Sequence, residues 1–174
     1  GLSGAMESAP PPDLRSLVAA GVDVVALLNE HRGPFDKLIG LSFTHAAEDQ
    51  LEAEIPVTEA LLQPYGLVHG GVYTTIVETL ASAAAAIVAI PRGQATVGLE
   101  NTTSFLRGTR TGTLRARVTP VHTGARTQVW SVDIRDDDGR TVATGRVRTL
   151  CLEAGASIAG QTVGIKPSAG RSTG

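Results

Sequence analysis

One stretch of this sequence, from Leu61 to Pro91, joins a glycine-containing turn to a long segment that is almost free of charge. Between Gly71 and Ile90 the chain has no lysine or arginine, and Glu78 is the only carboxylate. Apolar residues recur there at the spacing of an α-helix. A helix of about 20 residues is about 30 Å long, so the other elements have to be arranged along it.

The predicted helix has two different faces. The side expected to face the core consists of Val72, Ile76, Leu80, Ala83 and Ile87, extended by Val77, Ala84 and Val88. The opposite stripe consists of Gly71, Thr74, Thr75, Glu78, Ser82 and Ala85. This stripe is either a solvated face or a face that a partner subunit or a ligand covers. Solvated faces normally carry several charged side chains, so we favour a covered stripe and take Glu78 as a functional candidate.

The start of this helix has chemistry of its own. Gly70 and Gly71 place two backbone N–H groups without neighbouring Cβ atoms in the first turn, where the helix dipole is positive. Such a site can hold an anion or a polarised carbonyl oxygen. Glycines before a helix are also ordinary turn residues, and only the carboxylate of Glu78, two turns along, strengthens the functional interpretation.

Composition and charge limit the possible functions. A chain of 174 residues with 42% hydrophobic residues forms about one domain. Its net charge of -2 argues against nucleic acid as the main partner. Residues 1–91 contain 3 basic and 11 acidic groups, whereas residues 92–174 contain 12 and 6. This asymmetry indicates either charge pairs between neighbouring strands or a basic rim for a phosphate-bearing ligand.

Cysteine and histidine positions give no sign of a metal site. The single cysteine, Cys151, excludes an internal disulfide and lies in an apolar strand pattern, so we place it in the core. His31, His45 and His122 do not have metal-ligand spacing. No stretch resembles a signal peptide, and polar residues interrupt the apolar helix. We therefore expect a cytoplasmic protein that does not bind membranes.

The N-terminal region is predicted to contain a leader and one helix. Residues 1–12 are expected to be disordered, and GLSGA before Met6 resembles a cloning remnant. Residues 13–33 are predicted to form a single helix that Asp13 caps, running to about Asn29. A core domain of residues 34–153 follows, and residues 154–174 are expected to form a flexible tail.

Alternating apolar residues predict six strands in the core domain. They are Leu38–Thr44 and Gln50–Val57 before the long helix, and Ala95–Leu106, Thr113–Val121, Thr127–Arg135 and Thr141–Leu152 after it. Asp136–Gly139 is a hairpin signal, and short connections of this kind make neighbouring strands antiparallel. We predict an α+β fold in which the long helix lies along a curved antiparallel sheet, with an extra N-terminal helix. The outer sheet face would carry Arg115, Arg117, Arg146 and Arg148.

These features together resemble a known family. The order of elements, Gln63, the HGG motif at His69–Gly71, Glu78 and the threonine-rich strand that ends at Phe105 are similar to the hotdog-fold acyl-CoA thioesterases. Within that family the sequence resembles the phenylacetyl-CoA thioesterases and the 4-hydroxybenzoyl-CoA thioesterases that carry Glu on the helix. The resemblance covers roughly residues 35–152.

The resemblance implies a catalytic role for four residues. Glu78 would act as nucleophile or as general base for water, and the Gly70 amide would polarise the thioester carbonyl. Gln63 would orient the carbonyl or the water, and Ser82 takes the place of a threonine near the carboxylate. Thiolate leaves without a strong acid, which is why such a site needs no second acid and no metal.

The resemblance also implies substrate contacts and an assembly. His69 and Gly71 would line the substrate side of the turn, with the His69 ring mainly tying the turn down. Coenzyme A would be part of the substrate rather than a cofactor. Arg107, Arg110 and Arg126 are candidates to bind its phosphates, although each is also typical of a solvated surface. The family builds its sites at a homodimer interface and pairs dimers into tetramers.

Two other functions stay open from the sequence. The first is a hotdog dehydratase acting on a hydroxyacyl thioester, which uses a histidine together with an acid. The histidine near the helix, His69, precedes the glycine turn and suits that role less well. The second is an oligomer that binds acyl-CoA without catalysis. An enoyl product would identify the former, and CoA binding without thiol release the latter.

Overall fold

The computed structural model of the protein describes residues 9–162, and they form helices on one face of a curved sheet. The helices are α1 Leu14–Ala19, α2 Val24–Glu30, α3 Pro34–Ile39 and α4 Gly70–Ala89. The strands are β1 Ser42–Ala47, β2 Gln50–Pro56, β3 Gln94–Phe105, β4 Thr113–Thr123, β5 Thr127–Arg135, β6 Thr141–Glu153, β7 Ser157–Ile158 and β8 Gln161–Thr162. Short 3-10 turns occur at Glu59–Leu61 and Ile90–Arg92.

The six long strands form one antiparallel sheet in the order β1-β2-β4-β5-β6-β3. Alternate residues of the central strands are buried, among them Leu114 and Val118 of β4 and Trp130 of β5. They pack in the same core as Ile76 and Leu80 of α4. The predicted hotdog fold, a long helix along a curved antiparallel sheet, is therefore confirmed.

Helix α4 is the core helix of this fold. Within Gly70–Arg92 an 18-residue window has a mean hydropathy of 1.6, which by length and composition would be enough for a membrane span. Its apolar side, however, packs on the sheet. Of the predicted core face, Ile76, Val77, Leu80 and Ala84 are buried, and Val72, Ala83, Ile87 and Val88 are partly buried against the same core. All of these side chains are apolar, and packing against the sheet removes them from water.

One residue of the opposite stripe was placed wrongly. Ala85 is fully buried, like Ala81 and Ala89, so the face of α4 against the sheet is rotated from the predicted one. The small alanine side chains allow the sheet to approach closely. There the Gln128 amide donates to the Ala85 carbonyl at 3.4 Å. The other members of the stripe are partly buried or exposed, as expected for residues outside the core.

The single N-terminal helix predicted for residues 13–33 is wrong. The segment forms two helices, because Gly21 has a left-handed backbone (φ 81°) that ends α1. Asp23 then caps α2 by accepting a hydrogen bond from the Ala26 amide at 3.0 Å. The predicted cap at Asp13 is confirmed, since its carboxylate accepts from the Ser16 amide at 2.8 Å.

The start of the first strand was also predicted too early. Residues expected to extend from Leu38 form α3 instead, which begins with Pro34 at its first position and ends at Gly40, where φ is 79°. Proline at the first turn and glycine just past the end are the usual limits of a helix. The strand β1 therefore starts at Ser42, and Leu38 is 81% exposed.

The strands after α4 agree with the prediction within two residues. The hairpin between β5 and β6 forms as expected, with the Asp136 carboxylate accepting from the amides of Asp138 and Arg140 at 3.0 Å. Cys151 is buried, as predicted. The tail prediction needs correction, because β7 and β8 form a small hairpin within residues 154–162. Residues 1–8 of the leader and 163–174 of the tail lie outside the described residues.

Exposed charges line the outer face of the sheet. Arg117 forms a salt bridge with Glu52 at 3.0 Å, and Arg115 with Asp137 at 2.8 Å. Arg146 and Arg148 are exposed on β6, and Arg148 lies 3.5 Å from Glu100. The Glu52 contact joins the acidic half of the chain to the basic half across two neighbouring strands, so cross-strand pairing accounts for part of the charge asymmetry.

Candidate active site

The turn before α4 is held by the ring of His69. His69 is the N-cap of the helix, and its Nδ1 atom accepts a hydrogen bond from the Gly71 amide at 2.8 Å. This is the anchoring role expected for His69. It also means that the Gly71 amide is already bonded. Among residues 9–162 no acceptor is bonded to the Gly70 amide, so Gly70 supplies the free N–H at the positive end of the helix.

Phe105 explains why position 70 is a glycine. A Cβ atom on Gly70 would lie 2.5 Å from the Phe105 ring, which packs directly over the start of α4. The same ring lies 5.9 Å from the ring of Tyr73, centroid to centroid. Tyr73 is buried, and this burial raises its pKa. The last residue of β3 therefore fixes the surroundings of the free amide.

Glu78 lies two turns further along α4, half-buried and facing β3. Its Oε2 atom accepts a hydrogen bond from Nδ2 of Asn101 at 3.0 Å. The Ser82 hydroxyl donates to Oε1 at 3.4 Å, which is long for a bond between oxygens. A Cβ atom on Gly98 would lie only 2.5 Å from Oε1. The carboxylate thus occupies space that β3 leaves open where its pairing with β6 is interrupted, between Gly98 and Glu100.

Asn101 was missed in the sequence. Its Nδ2 also donates to the Thr74 carbonyl at 3.1 Å, and its Oδ1 accepts from the Thr103 hydroxyl at 2.7 Å. The signal in the sequence was a predicted strand with polar residues at alternate positions, Asn101 and Thr103, following an apolar helix. Such alternation is also typical of a solvated strand face, so the pattern alone does not distinguish the two.

Gln63 belongs to the loop that precedes α4. Its Oε1 atom accepts a hydrogen bond from the Tyr65 amide, and its backbone N–H donates to the Leu67 carbonyl at 2.7 Å. The side-chain oxygen is therefore occupied, and the side-chain NH2 remains as a donor. Within the described part of the chain neither Gln63 nor Gly70 forms a hydrogen bond with Glu78, and the hydrogen-bond donors that the structure brings to the carboxylate are Ser82 and Asn101.

The three candidate phosphate-binding arginines do not form one cluster. Arg107 follows the end of β3, and Arg110 donates to the Tyr65 carbonyl at 2.9 Å, so both lie near the start of α4. Arg126 lies beside Cys151, which pairs with Thr96 at the beginning of β3. The two ends of this strand are about 30 Å apart. Within one chain the three arginines are therefore not close enough to contact the same phosphate group, and their role in binding CoA stays a prediction.

An apolar groove of about 620 Å³ opens beside Glu78, between the N-terminal helices and the exposed side of α4. Leu17, Val24, Leu27 and Leu28 of α1 and α2 line one wall. Ser82, Ala83 and Ala86 of α4 line the other. Among residues 9–162 the carboxylates that border it are Glu78 and Asp36, and Asp36 accepts a hydrogen bond from Thr79 at 2.6 Å. Glu78 therefore adjoins a groove that suits an apolar group.

Comparison with known proteins agrees with this geometry. Residues 65–143 match the model of the thioesterase superfamily. The chain is 36% identical over 114 residues to 1,4-dihydroxy-2-naphthoyl-CoA hydrolase of Escherichia coli, covering 66% of this chain and 83% of that protein. It is 35% identical over 137 residues to the proofreading thioesterase EntH of Cronobacter turicensis, covering 79% and 94%.

Solved structures show the same fold. A thioesterase from Haemophilus influenzae superposes with a TM-score of 0.70 at 31% identity, covering 74% of this chain and 90% of that one. The matched regions contain the HGG turn, α4 and β3, the elements that carry Glu78 and its neighbours. From this fold, this turn and these relatives, we conclude that the chain belongs to the thioesterase superfamily and is a hotdog-fold thioester hydrolase.

Proposed function

We propose that the protein hydrolyses acyl-CoA thioesters to a free acid and CoA, with Glu78 as the catalytic carboxylate. The observation that carries this proposal is the half-buried Glu78, held by Asn101 and Ser82 and without a cationic partner among the described residues. It borders an apolar groove and follows the free amide of Gly70 by two helical turns. A carboxylate in such a place is more useful for chemistry than for stability.

The chemistry of thioester hydrolysis fits these groups. Overall, an oxygen from water becomes bonded to the carbonyl carbon, the C–S bond breaks, and the CoA thiolate leaves and takes up a proton. Glu78 acts either as a nucleophile, forming an anhydride that water then opens, or as the base that removes a proton from water. Within one chain about 12 Å of helix separates Gly70 from Glu78. The amide that stabilises the negative charge developing on the carbonyl oxygen is therefore that of Gly70 of the partner subunit, at the positive end of its α4.

Gln63 and Ser82 have supporting roles in this proposal. The free NH2 group of the Gln63 side chain donates to the substrate carbonyl or orients the attacking water. The Ser82 hydroxyl lies beside the Glu78 carboxylate and stabilises its charge. The groove supports an apolar acyl group, aromatic or aliphatic, because aliphatic side chains line most of its wall.

A second copy of the chain would complete the site. Strand β3 is an edge strand whose only neighbour in the described sheet is β6. Leu99 and Phe105 of this strand are 46% and 56% exposed, and Leu106, which follows it, is 58% exposed. An open apolar edge is a template for pairing with another strand. Antiparallel pairing of two β3 strands would bring Arg126 of the partner subunit toward Arg107. The phosphate-binding site then draws on both subunits. Pairing of dimers into tetramers and a cytoplasmic location stay predictions.

Release of free thiol from a panel of aromatic and straight-chain acyl-CoA esters tests the proposal. We expect wild-type protein to release thiol and Glu78→Gln to lose at least about 10²-fold in kcat. Glu153→Gln, at an exposed position at the end of β6, is the matched control and should keep full activity. Equal rates for wild type and Glu78→Gln would exclude Glu78 as the catalytic carboxylate.

The same experiment separates the alternatives. A dehydratase would form an enoyl thioester without releasing thiol, and a binding protein would retain the ester unchanged. The geometry gives the dehydratase little support. The His69 ring is bonded to the Gly71 amide and the His31 ring to the Leu27 carbonyl, and within residues 9–162 no histidine forms a hydrogen bond with Glu78. Thiol release that depends on Glu78 would reject both alternatives.

A further inference from the structure

Asn101 connects three groups at the middle of β3. Its amide nitrogen donates to Oε2 of Glu78 at 3.0 Å and to the Thr74 carbonyl at 3.1 Å. Its amide oxygen accepts from the Thr103 hydroxyl at 2.7 Å. Both hydrogens of the NH2 group and one lone pair of the oxygen are therefore used. The side chain links helix α4 to strand β3 at the position of the proposed catalytic carboxylate.

The orientation of this amide follows from its partners. The Thr74 carbonyl can only accept a hydrogen bond, and an ionised carboxylate can only accept, so the NH2 end has to face both of them. The Thr103 hydroxyl can donate or accept, and it adjusts to the oxygen that remains. If the amide were rotated by 180°, its oxygen would face two acceptors, which is unfavourable. The side chain therefore has one stable orientation.

Gly98 restricts Glu78 from the other side. Because its missing Cβ would lie 2.5 Å from Oε1 and 3.9 Å from Oε2, the strand backbone closes off one side of the carboxylate. Asn101 then holds the opposite oxygen by a charge-assisted hydrogen bond. The carboxylate is thus confined between the bulge of β3, which is the break in its pairing with β6 between Gly98 and Glu100, and the side-chain amide of Asn101. The Glu78 side chain therefore loses the freedom to rotate into the groove.

We propose that Asn101 is a positioning residue for hydrolysis: it holds the Glu78 carboxylate in the single orientation from which Glu78 acts on the thioester or on water. This rests on the proposed catalytic role of Glu78. Asn101 acts through Glu78 and does not itself contact the substrate. Thr103 supports it by occupying the amide oxygen. A misplacement of about 1 Å at a reacting group costs about 10²-fold in rate, so the loss of this bond affects kcat.

Two substitutions of Asn101 test the proposal by steady-state kinetics of thiol release at several pH values. Asn101→Ala should lower kcat by about 10-fold to 100-fold with less than about a 3-fold change in KM. Asn101→Asp keeps the shape but places a second carboxylate next to Glu78. Two neighbouring carboxylates disfavour ionisation of one of them, so the acid limb of the kcat/KM profile should move to higher pH by about one unit or more.

The shift in the pH profile distinguishes positioning from a merely structural role. Loss of structure would lower the rate by the same factor at every pH and would lower the melting temperature. The other titratable or charged groups that border the groove with Glu78 are His31, Arg32 and Asp36, and they are unchanged in these variants. Thr102→Val, at an exposed position between Asn101 and Thr103, is the control for the strand and should leave kcat, KM and the pH profile unchanged.

The outcomes separate the two proposals. A wild-type protein without thiol release, or Glu78→Gln with full activity, would overturn the proposed function. Loss of activity in Glu78→Gln, together with a wild-type pH profile for Asn101→Asp and a kcat within about 2-fold for Asn101→Ala, would overturn only the role of Asn101. Should Asn101→Asp fail to fold, Thr103→Val tests the positioning role instead, because it removes only the hydroxyl that donates to the Asn101 side-chain oxygen. A several-fold lower kcat is expected, and an unchanged kcat would refute the positioning role.

Discussion

Replacing Gly98 with alanine should impair the chemistry of this protein while leaving its fold intact. The new Cβ atom would lie 2.5 Å from Oε1 of Glu78, whereas ordinary contacts of this kind begin at 3.4 Å. The obstacle is the far end of a flexible side chain, so the carboxylate moves rather than the backbone. A shift of about 1 Å restores normal contact, and at a reacting group such a shift costs about 10²-fold in rate.

The same substitution should have a small effect on stability. Alanine restricts the unfolded chain more than glycine does, which stabilises the fold by about 0.4–1 kcal/mol. The displaced Glu78 weakens its bond to Asn101, a charge-assisted bond with a net contribution of about 1.5–3 kcal/mol. The balance is a loss of about 1–2 kcal/mol. For a chain of this size, each 1 kcal/mol lowers the melting temperature by about 2–4 °C.

Kinetics and thermal melting on the same samples provide the assay. Gly98→Ala should fold, oligomerise like the wild type and show a kcat for thiol release reduced about 10²-fold. Gly33→Ala is the matched control, because no atom lies within 4 Å of its new Cβ and the φ angle of -68° suits alanine. A Gly98→Ala variant with wild-type kcat would refute the idea that the bulge in β3 sets the position of Glu78.

Three further predictions concern other parts of the molecule. Burial raises the pKa of Tyr73 above 10.0, so above about pH 10 the unfolded chain loses this proton while the folded protein keeps it, and stability falls as pH rises. Tyr73→Phe should remove this alkaline loss, which melting temperatures at pH 8 and pH 10.5 would reveal, and equal losses in both proteins would contradict it. Ala83→Leu narrows the groove and should raise KM for bulky acyl-CoA esters by about 10-fold while sparing acetyl-CoA, whereas a uniform change across the ester panel would exclude the groove as the acyl site. Leu99→Lys places a charge on the open edge of β3 and should shift the protein toward monomers in sedimentation, which an unchanged sedimentation coefficient would contradict.

Most of the fold was predicted from two patterns, the alternation of apolar residues in strands and their helical spacing in α4. In β5 and β6 alternate residues are buried over about nine positions, and in β4 the buried residues are Leu114, Ala116 and Val118. This alternation identified the strands within two residues. The N-terminal helices were harder, because a single glycine with positive φ at Gly21 divides a segment whose apolar spacing continues across it. The first strand was predicted from Leu38 because Leu38, Ile39 and Leu41 form a short apolar run. Such runs do not distinguish a helix from a strand.

The sequence predicted those residues of the candidate site that lie on or beside the long helix, and it missed the residue that packing brings to it from another element. His69 and Gly70 could be identified because they adjoin the start of a helix, and Glu78 because it is the sole charge on that helix. Asn101 lies 23 residues from Glu78 in sequence, and only the packing of β3 against α4 brings them together. Arg126 was grouped with Arg107 because both were expected at strand ends or loops, although within one chain the length of β3 separates them.

If the proposed dimer forms on the edge of β3, catalysis depends on protein concentration. One side of this strand carries Gly98 and Asn101 beside the carboxylate, and the other side has unpaired backbone groups. A second copy docked on that edge would rigidify the strand and, through it, the orientation of Glu78. By mass action, dilution below the dimer dissociation constant would then release the strand and reduce the turnover of each subunit. Specific activity measured across a dilution series would thus report on assembly without any label on the protein.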